Sequence, residues 1–135
     1  MIVLDTSVLS QAFRRRSASD EHPSVRTLRD LIERDEPMGI PGVVLQELLS
    51  GVREDTEVRR LDRVLEPFPI LLASRSEHVT AAVTQNVCRR HGVVASTIDC
   101  LIAAQTMASR ATLFTLDEDF RRIARYCALR LFTGT

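Results

Sequence analysis

Short apolar runs alternate with longer amphipathic stretches along this chain, and this alternation limits the choice of fold more than any other feature. The pattern is typical of an α/β fold, in which strands and helices follow one another in turn. The predicted strands are 2–4, 38–40, 70–72, 113–115 and 129–132. The predicted helices begin near Thr6 and at Pro23, and others span 42–51, 54–65, 76–91, 96–109 and 117–126.

The length of the chain sets the number of cores it can bury. Its 135 residues, 44% of them hydrophobic, suffice for one core but not for two. No internal repeat, low-complexity segment or long linker interrupts the pattern. We therefore expect a single domain over residues 1–135.

Two acidic residues follow predicted strands and precede predicted helices. Asp5 ends the run Ile2-Val3-Leu4, and Asp117 comes shortly after the run at 113–115. Ligands of an open parallel sheet bind in the crevice beyond the carboxyl ends of its strands. If both strands are central and parallel, Asp5 and Asp117 point into one crevice.

Two further acids lie on faces that should be apolar. Glu47 falls within the apolar stripe of the helix at 42–51, and Asp99 stands between Ile98 and Leu101 near a helix start. A carboxylate on a core-facing side is costly unless it is paired or binds a metal. Both residues are therefore candidates for the same site.

Each of the four acids also has a purely structural interpretation. Asp5 and Asp117 could be helix N-caps, each contributing about 1 kcal/mol. Asp99 completes a capping-box pattern that starts at Ser96. Glu47 could be half exposed, or paired with an Arg such as Arg53. Four such acids at the ends of converging elements are harder to explain as caps.

Converging carboxylates without a Lys among them would repel one another, and a hard divalent cation removes that conflict. Ligands that are all oxygen suit Mg²⁺ or Mn²⁺. The three His, at 22, 78 and 91, lack the spacing of a zinc site. A bound metal would supply an acidified water and offset phosphoryl charge, while a carboxylate orients or deprotonates the attacking water. The pattern thus indicates phosphodiester chemistry.

Four segments, in this order, resemble those of the PIN-domain nucleases, specifically the VapC-type toxins of bacterial type II toxin–antitoxin pairs. No single segment is specific, but the ordered set is, and it covers essentially the whole chain. The segments are residues 2–9 (IVLDTSVL), 40–51 (IPGVVLQELLSG), 97–104 (TIDCLIAA) and 113–120 (LFTLDEDF).

The resemblance implies a divalent-metal-dependent endoribonuclease that hydrolyses RNA phosphodiester bonds. It matches Asp5, Glu47, Asp99 and Asp117 to the family's acidic quartet, which serves as metal ligands and catalytic groups. It also implies a three-layer α/β/α sandwich with a mostly parallel sheet, homodimers and inhibition by a cognate antitoxin protein. Supporting positions are Thr6, Thr115 and Asp119; we prefer Asp117 to Asp119 as the fourth acid, with Asp119 assisting or lying on the surface.

A phosphatase or phosphoacceptor domain with an aspartyl nucleophile after the first strand is a competing interpretation. Such sites resemble an Asp-x-Asp start or an acidic pair with a later Lys. Here Thr6 and Ser7 follow Asp5, and all 18 cationic residues are Arg. The absence of Lys also excludes Walker-A phosphate binding and Schiff-base catalysis.

Two more interpretations keep the family and change the role. One is an RNA-processing PIN nuclease without a toxin role, and the second is a non-catalytic PIN domain that binds RNA or protein. Non-catalytic members usually lose one or more acids, whereas all four are present here. The compact length favours the toxin.

The formal net charge is zero, so any nucleic-acid surface must be a local patch. The run Arg14-Arg15-Arg16 follows the first predicted helix, near the predicted crevice, and is a candidate for binding RNA phosphates. The run could equally form a solvated loop, or ion pairs with Asp20 and Glu21.

Cysteine usage and hydropathy indicate the compartment. The three Cys, at 88, 100 and 127, lie far apart without a Cys-x-x-Cys pair, which predicts reduced thiols. The N-terminal run lacks the pattern of a signal peptide, and no segment approaches the roughly 20 apolar residues that span a bilayer. We expect a cytoplasmic protein with no membrane partner.

Overall fold

The computed structural model describes residues 1–14 and 21–134. Within these residues, four strands form a parallel sheet in the order β3-β2-β1-β4. The strands are Ile2–Leu4 (β1), Met38–Pro41 (β2), Ile70–Leu71 (β3) and Thr112–Phe114 (β4). The helices that connect them are Thr6–Phe13 (α1), Pro23–Glu33 (α2), Gly42–Ser50 (α3), Asp55–Leu65 (α4), Arg75–Arg90 (α5), Thr97–Ala108 (α6) and Asp119–Ile123 (α7).

Strand β1 lies at the centre of this sheet. Val3 and Leu4 point to opposite faces, yet both are fully buried, because helices cover the sheet on both sides. Leu4 pairs with Phe114 in β4, and Val3 pairs with Gly39 in β2. The predicted α/β/α sandwich is therefore confirmed.

Local signals explain most helix boundaries. Pro23 occupies the first turn of α2, and the His22 ring accepts a hydrogen bond from the Ser24 N–H at 3.1 Å. Helix α5 ends before Gly92, whose φ of +76° is a left-handed conformation that glycine adopts at low cost. Helix α2 begins at the predicted residue, and α5 matches its predicted span within one residue at each end.

The C-terminal part of the chain differs from the prediction. The expected strand at 129–132 is reduced to a single parallel bridge between Leu113 and Leu131. The expected helix at 117–126 is shortened to α7, since Asp117 and Glu118 form a turn before it. The apolar periodicity at these positions comes from packing of Phe120, Ile123 and Leu129 into the core.

All three thiols are free, as predicted. Cys88 and Cys100 are buried, and burial raises the pKa of the Cys100 thiol to about 11. A thiol with such a pKa stays protonated at neutral pH and is a poor nucleophile. In the described residues, no helix combines the length and the apolar character that crossing a membrane requires.

Candidate active site

Asp5 directly follows β1 and occupies the N-cap position of α1, but it does not act as a cap. Its side chain accepts no hydrogen bond from the backbone of the helix. Instead, Asp5 Oδ2 accepts hydrogen bonds from Ser7 Oγ at 2.8 Å and Thr115 Oγ1 at 2.7 Å. Asp5 is only 5% exposed, so the two hydroxyl groups fix its carboxylate in a buried position. The capping interpretation of Asp5 is therefore wrong.

Ser7 is a site residue that the sequence did not single out. Its hydroxyl donates to Asp5, lies 3.3 Å from Thr115 Oγ1 and accepts from the Leu116 N–H at 2.9 Å. Thr115 Oγ1 in turn accepts from the Asp117 N–H at 3.0 Å. This network joins the carboxyl end of β1 to the segment after β4. The signal that could have identified Ser7 is a hydroxyl in the first helical turn, two residues after a strand-terminal acid.

Three carboxylates form what we call the acidic cluster: Asp99, Asp117 and Asp119. Each offers one oxygen, and these three oxygens lie within 4.8 Å of one another. Asp99 lies in the first turn of α6. Asp117 lies in the turn before α7, and Asp119 is the first residue of α7. The structure therefore brings Asp119 into the cluster beside Asp117 rather than choosing between them.

Asp99 is the least solvated member of the acidic cluster. Desolvation by burial raises the pKa of Asp99 to about 6 from 3.8; the Ser96 hydroxyl opposes the shift, and the charges of Asp117 and Asp5 add to it. The Ser96 hydroxyl also accepts from the Asp99 N–H at 3.0 Å, so Ser96 is the N-cap of α6. The N-cap bond uses the backbone of Asp99 and not its carboxylate, which projects toward the other acids.

Asp117 and Asp119 each have one oxygen engaged. Asp117 Oδ1 accepts from the Asp119 N–H at 2.9 Å, an interaction that stabilises the turn. Asp119 Oδ1 accepts from Arg122 Nη1 at 2.6 Å. Asp117 thus stabilises the turn before α7 through one oxygen, although the N-cap position itself is held by Glu118, and Asp117 and Asp119 each also offer an oxygen to the acidic cluster.

Glu47 does not belong to the group of carboxylates whose oxygens converge, and it contacts Thr6, next to Asp5. Helix α3 holds it half-buried, and Glu47 Oε1 accepts a hydrogen bond from Thr6 Oγ1 at 3.1 Å. Thr6 adjoins Asp5, so this bond connects α3 to the carboxyl end of β1. Among the described residues, Glu47 forms no ion pair with Arg53 or with any other cation.

The charges at the site favour a bound cation. Within residues 1–14 and 21–134, no Arg or His forms an ion pair with Asp5, Glu47, Asp99 or Asp117. Among the site acids, and within the part of the chain that the structure describes, the ion pair with a cation is that of Asp119 with Arg122. Carboxylates that converge without counterions repel one another, and a hard divalent cation with oxygen ligands offsets that repulsion. The donor set therefore fits a divalent cation at the acidic cluster.

The expected position of Arg14 near the crevice is wrong. Helix α1 runs away from Asp5 for 8 residues, a length of about 12 Å, and Arg14 follows its far end. Arg14 Nη2 donates to the Gly51 carbonyl at 3.1 Å, at the C-terminal end of α3. Arg15, Arg16 and Asp20 lie outside the described residues, and Glu21 pairs with Arg29.

Comparison with protein families and curated proteins identifies relatives of the whole chain. The model of the PIN domain matches residues 2–126. The chain is similar to Ribonuclease VapC11 of Mycobacterium tuberculosis, with 32% identity over 132 residues that cover 96% of each chain.

Solved structures share the fold. A crystal structure of FitAcB from Neisseria gonorrhoeae superposes with a TM-score of 0.78 at 24% identity, covering 99% of this chain and 98% of that chain. A toxin–antitoxin complex from Klebsiella pneumoniae gives a TM-score of 0.73 at 19% identity, covering 100% of this chain and 98% of that chain. At these identities the likeness concerns the fold.

Proposed function

This chain belongs to the PIN domain family, and on that premise we propose that it is a divalent-metal-dependent endoribonuclease, the toxin of a toxin–antitoxin pair. The proposed nuclease is a single PIN domain over residues 1–135. Its catalytic and metal-binding residues are Asp5, Glu47, Asp99 and Asp117, with Asp119, Thr6, Thr115 and Ser7 in support.

The observation that carries this proposal is the acidic cluster, where Asp99, Asp117 and Asp119 place oxygens within 4.8 Å of one another next to the buried Asp5. Such an arrangement of like charges is costly for a protein whose function does not need it. It lies beyond the carboxyl ends of β1 and β4, where open parallel sheets bind their ligands.

Mg²⁺ or Mn²⁺ is the cofactor that we propose. Its ligands would be Asp99 and Asp117, with Asp5 and Asp119 contributing directly or through water. When bound, the cation would neutralise part of the charge on the scissile phosphate and lower the pKa of a water molecule. The raised pKa of Asp99 indicates a carboxylate whose charged form such a positive charge would stabilise.

The chain's own residues divide the remaining work. Thr115 and Ser7 hold Asp5 Oδ2, which keeps the second oxygen of that carboxylate directed away from the network. Thr6 holds Glu47 Oε1, and the other Glu47 oxygen would accept a proton from the attacking water as a general base. The hydroxyl groups orient the carboxylates before the substrate arrives, which reduces the cost of reorganisation during the reaction.

We further propose RNA as the substrate, a cognate antitoxin protein as the inhibitor, a homodimeric state and a cytoplasmic location. The curated relative is named a ribonuclease, and a solved structure with the same fold is a toxin–antitoxin complex. A catalytic site formed only of acids also offers a natural point of inhibition, since an Arg of a partner protein would pair with it.

The test is cleavage of total cellular RNA by the purified protein with Mg²⁺, with Mn²⁺ and with EDTA. We expect discrete fragments that require the metal and disappear with Asp5→Asn. Fragments that persist in EDTA would contradict the metal dependence. Turnover of a small phosphomonoester without RNA cleavage would favour a phosphatase, and RNA binding without cleavage would favour a non-catalytic domain.

A separate experiment distinguishes a toxin from an RNA-processing nuclease. Expression of the wild-type chain in a bacterial host should arrest growth, whereas Asp99→Asn should not. Metal-dependent cleavage in vitro without growth arrest would favour the RNA-processing role.

A further inference from the structure

Two pockets lie along the edge of the sheet that β4 and the segment 129–133 form. The upper pocket, about 430 Å³, adjoins the acidic cluster and includes Thr115, Asp117 and Arg121. The lower pocket, about 360 Å³, lies at the amino end of β4 and includes Thr112. Phe132 borders both pockets, and we call the two pockets together the edge groove.

The lower pocket concentrates positive charge in a chain whose net charge is zero. Arg34, Arg110 and Arg130 line it, and none of the three forms an ion pair within the described residues. Arg130 Nη2 donates to the Arg110 carbonyl at 2.9 Å, which holds these two residues together. One acid, Glu36, also lines the pocket, so its local charge is positive.

The backbone at Arg110 supplies an independent observation. Arg110 has a φ of +52° just after the end of α6, a left-handed position where glycine is the favoured residue. An Arg in this conformation costs stability, and such strain is typical of positions where the side chain has a function. Arg110 thus stands at a position of the lower pocket that glycine would occupy at a lower cost.

The dimensions of the edge groove suit a nucleic-acid strand. The lower pocket includes Thr112 and the upper pocket includes Thr115, and three residues of strand span about 10 Å. Stacked nucleotides rise about 3.4 Å each, so about three of them cover this distance. Phe132, which packs on Phe114 at 4.9 Å between centroids, is half-buried at the middle of the groove.

We propose that single-stranded RNA lies in the edge groove, from the acidic cluster past Phe132 to Arg110 and Arg130. Arginine forks bind phosphates in a bidentate manner, and aromatic rings accept any base by stacking. Arg121 lines the upper pocket with Asp117, and its exposed ion pair with Glu118, at 3.4 Å, is weak and easily exchanged. Its guanidinium can therefore leave Glu118 and hold a phosphate close to the scissile bond. This inference rests on the proposed function and defines how the same site receives its substrate.

The test measures binding of a fluorescein-labelled, unstructured RNA to the Asp99→Asn protein in Mg²⁺ by fluorescence anisotropy, with an RNA of about 12 nucleotides, within the known range of single-strand sites. We expect the combined Arg110→Gln and Arg130→Gln changes to weaken binding about 10-fold or more. The slope of log affinity against log salt should fall by about 0.7 for each lost phosphate contact. The matched control is Arg59→Gln, an exposed Arg on α4, which should change neither value.

Two single variants distinguish binding from structural roles. Phe132→Leu should weaken RNA binding about 5-fold or more with an unchanged salt slope, because stacking carries no charge. Arg110→Gly should raise the Tm by about 2–4 °C, since glycine suits the left-handed backbone, while still weakening RNA binding. A purely structural Arg110 would give a lower Tm and unchanged RNA affinity.

The experiments distinguish an incorrect assignment of the RNA-binding groove from an incorrect assignment of the nuclease function. The binding assay uses an inactive variant, so it is independent of cleavage. With otherwise wild-type protein, the Arg110→Gln and Arg130→Gln changes should raise the KM for RNA but leave Mn²⁺-dependent hydrolysis of bis(p-nitrophenyl) phosphate unchanged. Unaltered RNA affinity and salt slope would overturn the edge groove and point to another anionic occupant, such as an acidic peptide. Absence of all hydrolysis in the wild type would overturn the proposed function alone.

Discussion

Thr115 Oγ1 donates a hydrogen bond of 2.7 Å to Asp5 Oδ2, joining the ends of two neighbouring strands that are 110 residues apart in sequence. This bond and the one from Ser7 determine where the Asp5 carboxylate points. Removing a group that orients a metal-binding carboxylate commonly lowers metal affinity or activity 10- to 100-fold, which corresponds to a free energy on the order of 1–3 kcal/mol.

Ser7→Ala and Thr115→Val should each lower metal-dependent RNA cleavage about 10-fold or more without unfolding the protein. Each substitution removes a donor to Asp5, and the Ser7 change also leaves the Leu116 N–H without its acceptor. Initial cleavage rates against metal concentration measure the effect. Ser10→Ala, on the same helix and away from the site, is the matched control. If Ser7→Ala and Thr115→Val cleave RNA as fast as the Ser10→Ala control, neither hydroxyl group contributes to the mechanism.

Asp99→Asn should stabilise the metal-free protein at neutral pH. The pKa of Asp99 is raised to about 6 by burial, so the folded state binds a proton that the unfolded state releases near 3.8. The contribution of Asp99 to the stability of the wild type is therefore fully present below about pH 4 and is lost as pH rises through about 6. With solvent screening of this half-exposed group, the difference is about 1 kcal/mol.

Urea unfolding in EDTA at about pH 4 and about pH 8 measures that difference. We expect the Asp99→Asn variant to exceed the wild type in stability at the higher pH and to equal it at the lower one. Asp62→Asn, an exposed change on α4, should show no such pH dependence. Destabilisation by Asp99→Asn at both pH values would instead favour a structural role for the carboxylate at the start of α6.

Glu47→Gln should lower kcat by about 10²- to 10⁴-fold, the range typical of a lost general base, with little change in KM. Thr6→Val should give a smaller loss, because it frees the Glu47 carboxylate without removing it. Thr6→Ser keeps the donor and should restore activity. Kinetics across pH separate the roles: a rise with pH that survives Glu47→Gln would exclude Glu47 as the base.

The contact between Arg14 and Gly51 predicts a coupling between α1 and α3. An added Cβ at Gly51 would lie 2.8 Å from Arg14 Cζ, so Gly51→Ala must displace the guanidinium. The cost is that of the bond to the Gly51 carbonyl, about 0.5–1.5 kcal/mol. On an Arg14→Ala background, Gly51→Ala should cost almost nothing. An equal cost on both backgrounds would place the strain elsewhere.

Local patterns predicted those parts of the structure that depend on neighbouring residues. Strand β1 and its terminal Asp5 follow from an apolar run and an acid, and Pro23 and Gly92 mark helix boundaries by their own backbone preferences. The acids at 5, 47, 99 and 117 could be identified as candidates because each occupies a position that a solvated surface does not require.

Contacts distant in sequence account for what was missed. Ser7 looks like any first-turn serine until β4 brings Thr115 and Leu116 beside it. Arg14 is close to Asp5 in sequence, but α1 carries the chain away from Asp5. Arg14 therefore contacts Gly51 and not the site. The strand expected at 129–132 does not form as a full strand. Its apolar residues pack against the edge of the sheet, and its pairing with β4 is a single bridge between Leu131 and Leu113.

The most direct measurement is a Mn²⁺ titration in which electron paramagnetic resonance gives the bound metal and RNA cleavage is followed in the same samples. We expect cleavage to rise in proportion to occupancy, and Asp99→Asn to lose both signals while Asp62→Asn keeps both. Cleavage by metal-free protein, or full Mn²⁺ binding and activity in Asp99→Asn, would contradict a nuclease site built on the acidic cluster.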